Sequence, residues 1–346
     1  MKSMDIKEIV NMIEKGLIEE ALQYLDVLED IEKVIVLAKA SMVTGNFELI
    51  DDALYILEKS IKKPDDKIIG YSEIAMALAK MGDYESSTEY FNKAIELLNK
   101  LDQYSAAVSA MLIGNRLAKA GFYDSAFETF EYSFDQIIDL DIEVSRKTDL
   151  ILSLADIIEK TGDELPSDIA LKFYERAYDI FDKLKVGQRA GVLEKKIRLA
   201  KIFSLTRDPE IRKLSYEGRF KQAIYKAHER FSRDKRGIVL LEMTLWAKEN
   251  NMPIKHELLE MALKELENSN TEDKDMKRAV EILTELDEFQ KAIEFAEKIR
   301  DPKVRDEALA KIAEKLAELG EVKAVREIII PRIESEEVKR RLFSKL

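Results

Sequence analysis

The motif nearest to catalytic chemistry is His256-Glu257-Leu258-Leu259-Glu260. On a helix it sets His256 and Glu260 one turn apart, a spacing able to hold a metal. A zinc-protease site needs a second His where Glu260 stands, and the other of the two His is far away at position 228. With Leu258, Leu259 and Ala262 recurring on the opposite side, the segment reads as a surface helix. His228, beside Ala227, reads as a half-buried packing residue and not as a base. There is no Cys, which removes thiolate metal sites, disulfides and Cys nucleophiles. No GxGxxG, phosphate-binding loop or GxSxG occurs. The chain is therefore expected to be non-enzymatic, with no metal and no cofactor.

The second feature with chemical consequences is charge. The net charge is -12 over 346 residues, but it is unevenly spread. Residues 1–187 hold 21 Lys+Arg against 37 Asp+Glu, while 188–236 hold 15 against 6. A basic belt of net +9 thus sits between two acidic arms. Within it, Lys195, Arg198 and Lys201 lie along one helical stretch. Arg219, Lys226, Arg230 and Arg233 form a polar stripe opposite Phe220 and Phe231. Such a stripe suits an acidic partner or a polyanion. It equally suits a solvated face, or one paired with the chain's own acids. No nucleic-acid module with interleaved aromatics accompanies it.

The elements that carry these residues are helices. Apolar residues recur at spacings of three and four, as in Phe220, Ala223, Ile224, Ala227 and Phe231. Asp208-Pro209 and Asp301-Pro302 each place an N-cap acid before a proline suited to the first helical turn. Ile328–Ile330 is the one β-like run, and Pro331 ends it. The punctuation predicts about 19–20 helices joined by short loops, hence a string of antiparallel hairpins. No run of about 18 apolar residues occurs, so no membrane span is expected, and the charged N-terminus lacks the apolar stretch of a leader. Together with the missing Cys, this suggests a cytoplasmic protein. Abundant Lys and Glu suit a heat-adapted source.

The hairpins resemble one another. Gly82-Asp83-Tyr84 is followed by Ser87, Phe91 and Ala94, and Gly121-Phe122-Tyr123 by Ala126, Phe130 and Ser133. Ala75 and Gly114 stand seven residues before each loop Gly. Small residues at 53, 87, 126 and 170 mark where paired helices cross closely. Gly45 and Gly162 supply further loop positions. This pattern, with GDYESSTEYFNKAIEL as its best copy, resembles the tetratricopeptide repeat family. The resemblance covers Tyr71–Leu98 and Ala110–Ser133 well and the rest more loosely. It implies an all-α, right-handed α-α superhelix of antiparallel hairpins. The expected division is 1–186 as tetratricopeptide-like repeats and 187–346 as a divergent helical-repeat region, with the seam where Gly187 and Gly191 bracket a polar stretch.

The resemblance also implies a concave, ligand-holding surface. The family's carboxylate clamp would draw on Ser72, Met76, Met111, Asn115, Asp149 and Ser153, of which only Asn115 suits the role. The groove lining expected instead is Met42, Met76, Lys80, Met111, Asn115, Leu152 and Asp156. The function expected is a non-catalytic scaffold or adaptor holding a protein or peptide partner. Polyanion or nucleic-acid binding through the belt at 188–236 is the alternative, and self-assembly, such as a homodimer, is the third reading.

Overall fold

In the computed structural model, residues 5–345 are described. The first four residues of the stretch read above for a leader, and Leu346 at the C-terminus, lie outside them. Twenty α-helices and no strand occur among the described residues. In chain order they are α1 (Ile6–Glu14), α2 (Ile18–Leu22), α3 (Asp30–Thr44), α4 (Glu48–Lys59), α5 (Pro64–Lys80), α6 (Tyr84–Leu97), α7 (Gln103–Ala120), α8 (Tyr123–Asp139), α9 (Val144–Asp163) and α10 (Ser167–Lys183). There follow α11 (Gly187–Ile202), α12 (Pro209–Tyr216), α13 (Phe220–Arg230), α14 (Arg233–Glu249), α15 (Lys255–Glu267), α16 (Asp273–Glu285), α17 (Phe289–Ala296), α18 (Pro302–Glu318), α19 (Val322–Ala324) and α20 (Glu336–Phe343). The chain divides into two compact units. One holds Met1–Leu165 with Ile169–Glu194, the other Pro166–Asp168 with Lys195–Leu346.

Local chemistry explains the starts and stops. Asp83 and Asp102 accept the amides of Ser86 at 3.1 Å and Ser105 at 3.0 Å, capping α6 and α7. Asp208 caps α12 through the amides of Glu210 and Ile211, and Asp301 caps α18 through that of Lys303. Pro209 and Pro302 occupy the first turns, where their missing N–H costs nothing. Gly121 ends α7 with φ of 95°, a left-handed conformation that glycine reaches without steric penalty. Before α17 the same left-handed position is filled by Asp287, with φ of 64°. That substitution hides the hairpin's usual glycine signal.

In the first unit α3 pairs with α4, α5 with α6 and α7 with α8, while α3, α5, α7 and α9 stack side by side. This is the hairpin array of a tetratricopeptide-like helical solenoid. Ala53, Ser87, Ala126 and Ala170 are all fully buried at the helix crossings. Ser87 and Ser133 each donate their hydroxyl to a carbonyl of the partner helix, at Ala75 (2.7 Å) and Ala107 (2.8 Å). Close approach also requires glycine at Gly114, where an added Cβ would stand 2.9 Å from Cε1 of buried Phe130. Phe130 is held in turn edge-on against Phe173, so the ring cannot simply retreat. Gly114→Val is expected to lower stability by about 2 kcal/mol, read as a shift in the urea midpoint at unchanged slope.

One expectation needs correction. Gly162 is no loop glycine: it lies inside α9, where Tyr174 and Phe173 pack against its missing side chain. Helical packing overrides the local signal of glycine there. Gly187 and Gly191, which flank the polar stretch, both lie within α11.

In the second unit α12 pairs with α13, α14 with α15 and α16 with α17, and α14, α16 and α18 stack in sequence with α20 against α18. One apolar core runs through this unit from Leu199 to Leu342. Trp246 lies within it, its indole N–H donating to the Ser215 carbonyl at 3.1 Å. Ile328–Ile330 falls in a π-helical and 3-10 turn after α19. The C-terminal helix α20 is tied back by Arg341 to Glu307 (2.9 Å) and by the amides of Glu334 and Ser335 to buried Asp306.

Candidate functional site: a cationic cleft in the second unit

The groove residues expected from the sequence sit on the stacked helices of the first unit. Met76 on α5 and Met111 on α7 are interior, each 4% exposed. Met42 and Leu152 are half-buried, and Lys80 is exposed at the end of α5. Asp156 pairs with Arg189 at 2.5 Å. Asn115 belongs to a polar seam crossing four helices. Glu73 on α5 receives Arg116 Nε at 2.5 Å and lies 3.9 Å from Lys39 Nζ on α3. Arg116 donates to Asn115 Oδ1 (2.7 Å), and Asn115 Nδ2 donates to Thr161 Oγ1 on α9 (2.9 Å). Two of the seven residues are therefore packed inside and two are held in internal polar bonds.

Five of the seven belt residues have found partners within their own unit. Arg198 bonds Glu249, with Nε to Oε2 at 3.0 Å, and Glu285 at 3.0 Å; the Glu249 carboxylate raises its pKa further. Arg219 pairs with Glu217 (2.9 Å), and Lys226 with Glu229 (3.2 Å) and Glu210 (3.8 Å). Arg230 pairs with Asp208 (2.7 Å) and with Glu210, and Arg233 with Glu265 (3.0 Å). Arg233 opens α14, so the four residues read as one stripe on the α13 side are split between two helices. Lys195 and Lys201 stay exposed, with no ion pair. His228 is exposed, not half-buried, and His256 is also exposed. No group of three or more potential metal ligands converges among the described residues.

A second group of cations, three of them without an ion pair, lines a cleft of the same unit. A cleft of about 560 Å³ opens between the loop after α11 and the first turns of α14 and α16. Its basic lining is Arg207, Lys235, Lys274, Lys277 and Arg278; its acidic lining is Asp275 and Glu281. Lys235, Lys274 and Lys277 make no ion pair within 4.0 Å. Ser204, Leu205 and Phe231 complete the walls. The cleft continues along the stacked helices. A neighbouring hollow of about 470 Å³ shares Arg278 and Glu281 and adds Glu285 from α16 and Lys311, Glu314, Lys315 and Glu318 from α18. A third, of about 300 Å³, shares Lys277, Glu281, Lys311 and Glu314 and reaches Arg341 and Lys345.

One buried acid fixes this cleft. Glu242 on α14 is 0% exposed. It accepts the amides of Leu205 (3.0 Å) and Thr206 (3.1 Å) and the Thr206 hydroxyl, so it pins the loop that brings Arg207 to the wall. Arg278 Nε faces Glu242 at 3.9 Å with no hydrogen bond of its own. The rest of that guanidinium is held by the Ile202 carbonyl at 2.9 Å and Glu281 at 3.5 Å. Burial pushes the Glu242 carboxyl up to about 7, against the opposing pull of Thr206, Arg278 and the loop amides. Asp275, 7% exposed, is also raised by burial, with Lys235 pulling the other way.

Comparison with known proteins finds a close likeness. The crystal structure of Ton1535 from Thermococcus onnurineus NA1 is 34% identical, covers 98% of both chains and superposes with a TM-score of 0.82. The chain belongs to the same family as Ton1535. Two more distant likenesses are the crystal structure of aspartyl phosphate phosphatase F from Bacillus subtilis (14% identity, 98% of this chain and 95% of that one, TM-score 0.30) and a circular tandem repeat protein (16% identity, 98% and 90%, TM-score 0.23). Both superpose too loosely to bear on function. No protein-family model matches the sequence, and no curated protein matches it. No helix among the described residues is long and apolar enough to cross a membrane.

Proposed function

We propose that the protein is a non-catalytic binding scaffold that holds an extended acidic stretch of a partner protein along the cleft of its second unit. The observation that carries this reading is the distribution of unpaired cations. In a chain of net charge -12, the belt arginines are neutralised by neighbouring acids. Lys235, Lys274 and Lys277 instead face one cleft with no ion pair within 4.0 Å, Asp275 being the acid nearest to Lys235 and Lys274. Like charges held together repel one another, and an anionic ligand relieves that repulsion. The neighbouring hollows along α16 and α18 give a bound chain room to continue, with carboxylates and lysines alternating as a rim that sets register.

The test is fluorescence anisotropy of the full-length protein with a labelled peptide rich in Asp and Glu. Binding is expected, weakening as salt is raised. It is expected to fall at least tenfold in Lys274→Glu/Lys277→Glu and to persist in Lys195→Glu/Lys201→Glu. No binding, or equal loss in both variants, overturns the reading. So does tighter binding of a single-stranded oligonucleotide than of the peptide.

A further inference from the structure

We infer that the cationic cleft is a phosphoryl subsite, taking the phosphorylated serine or threonine side chain of the partner peptide. This rests on the reading of the second unit as a peptide-holding groove and goes beyond it by naming the group recognised.

The first argument is charge. The lining holds five cations against two acids, but Arg207 is paired with Asp168 (2.9 Å) and Arg278 with Glu281, which leaves Lys235, Lys274 and Lys277 against Asp275, still more than a lone carboxylate would neutralise. A phosphorylated side chain carries about -1.5 to -2 at neutral pH and three strong acceptor oxygens. Several ammonium groups converging from different directions satisfy such a group better than they satisfy a planar carboxylate. Lys274, Lys277 and Arg278 come from one face of α16 at i, i+3 and i+4, and Lys235 approaches from the first turn of α14.

The second argument is preorganisation. The Arg278 guanidinium is held by the Ile202 carbonyl, Glu281 and the buried Glu242. The same Glu242 holds the Leu205–Thr206 backbone. One buried carboxylate therefore sets both the fixed cation and the loop leading to Arg207. Lysines supply the mobile charge around that fixed frame, and no ordering of the frame is required when the ligand arrives.

The third argument is size and polarity. A cleft of about 560 Å³ exceeds a lone anion and has room for a side chain with its flanking backbone. Phe231 and Leu205 offer apolar walls for the methylene of that residue. Of the two acids in the lining Glu281 is paired with Arg278, and Asp275, which is buried and makes no ion pair, opposes an anion there more directly.

The experiment uses full-length protein and three peptide libraries with degenerate flanks, having phosphoserine, serine or glutamate at the fixed central position. The phosphoserine library is expected to bind at least tenfold more tightly than the glutamate library. Lys274→Glu/Lys277→Glu is expected to erase that difference. Asp275→Asn is expected to tighten phosphoserine binding several-fold, a gain that a folding defect cannot mimic. If the glutamate library binds as tightly as phosphoserine, the phosphoryl assignment falls while the acidic-peptide groove stands. If no library binds, both fall. If inorganic phosphate or a nucleoside triphosphate binds more tightly than the phosphoserine library, the ligand is a free phosphate compound and the peptide assignment is overturned.

Discussion

Glu73→Ala is expected to destabilise the first unit by about 3 kcal/mol, the lower end of what is seen when one partner of a buried ion pair is removed. Glu73 is 2% exposed and bridges Arg116 on α7 and Lys39 on α3. Its loss strands two cations and uncouples Arg116 from the bonds through Asn115 to Thr161. The side chains of Arg116 and Lys39 are 24% and 22% exposed, so water recovers part of their solvation, which places the cost at the lower end. Replacing both sides of the pair, Glu73→Leu with Arg116→Leu, is expected to cost less than the single change, because no buried charge is left uncompensated. Amide exchange in α5 and α7 measures this directly: both variants accelerate it, the single one more. A cost below about 1 kcal/mol in Glu73→Ala would mean that the seam behaves as a surface pair.

The second large effect concerns pH. Burial raises the Glu242 carboxyl from an ordinary 4.5 to about 7, so the folded chain holds this proton more tightly than the unfolded chain does. The stability it contributes is complete below about 4.5 and is lost as pH rises to about 7, a change of about 3 kcal/mol. Carboxyls held low by hydrogen bonds, such as Asp102 by Ser105 and Asp273 by the amides of Asp301 and Arg300, give up stability only at lower pH. Trp246 is the lone tryptophan and lies in the same core as Glu242, so its fluorescence reports unfolding of this unit. The wild type is expected to lose about 2.5 kcal/mol between pH 5 and pH 8 relative to Glu242→Gln, which cannot titrate there. The slope with pH is the readout, because the glutamine amide meets the donors at Thr206 and changes absolute stability separately. Parallel pH profiles for the two proteins would contradict the assignment.

The hairpin architecture was legible because it rests on local spacing. Ala53, Ser87, Ala126 and Ala170 stand at helix crossings where only small side chains fit, and the aspartates before the helix starts have one physical use. Where a signal was ambiguous, packing decided it. Gly162 could end a helix or admit a neighbouring ring, and Tyr174 takes the second option. The cleft was not legible, for a different reason. Its residues come from 204–207, 231–235 and 274–281, and only folding joins them. The belt drew attention because its charges are dense in sequence, yet Arg198 finds Glu249 and Glu285 across the fold, as no local count could show. The signal that could have led to the cleft was Lys274, Lys277 and Arg278 on one face near the start of a helix. Cations at that end oppose the helix dipole, which Asp273 and Asp275 of the same first turn offset.

The central claim is that ligand enters the cleft of the second unit. Hydrogen exchange of the full-length protein with and without saturating phosphoserine peptide tests it most directly. Slowed exchange confined to residues 204–207, 231–235 and 273–281 is the expected result. Protection on α3, α5 and α7, or around Lys195–Lys201, with the cleft unchanged, would contradict it.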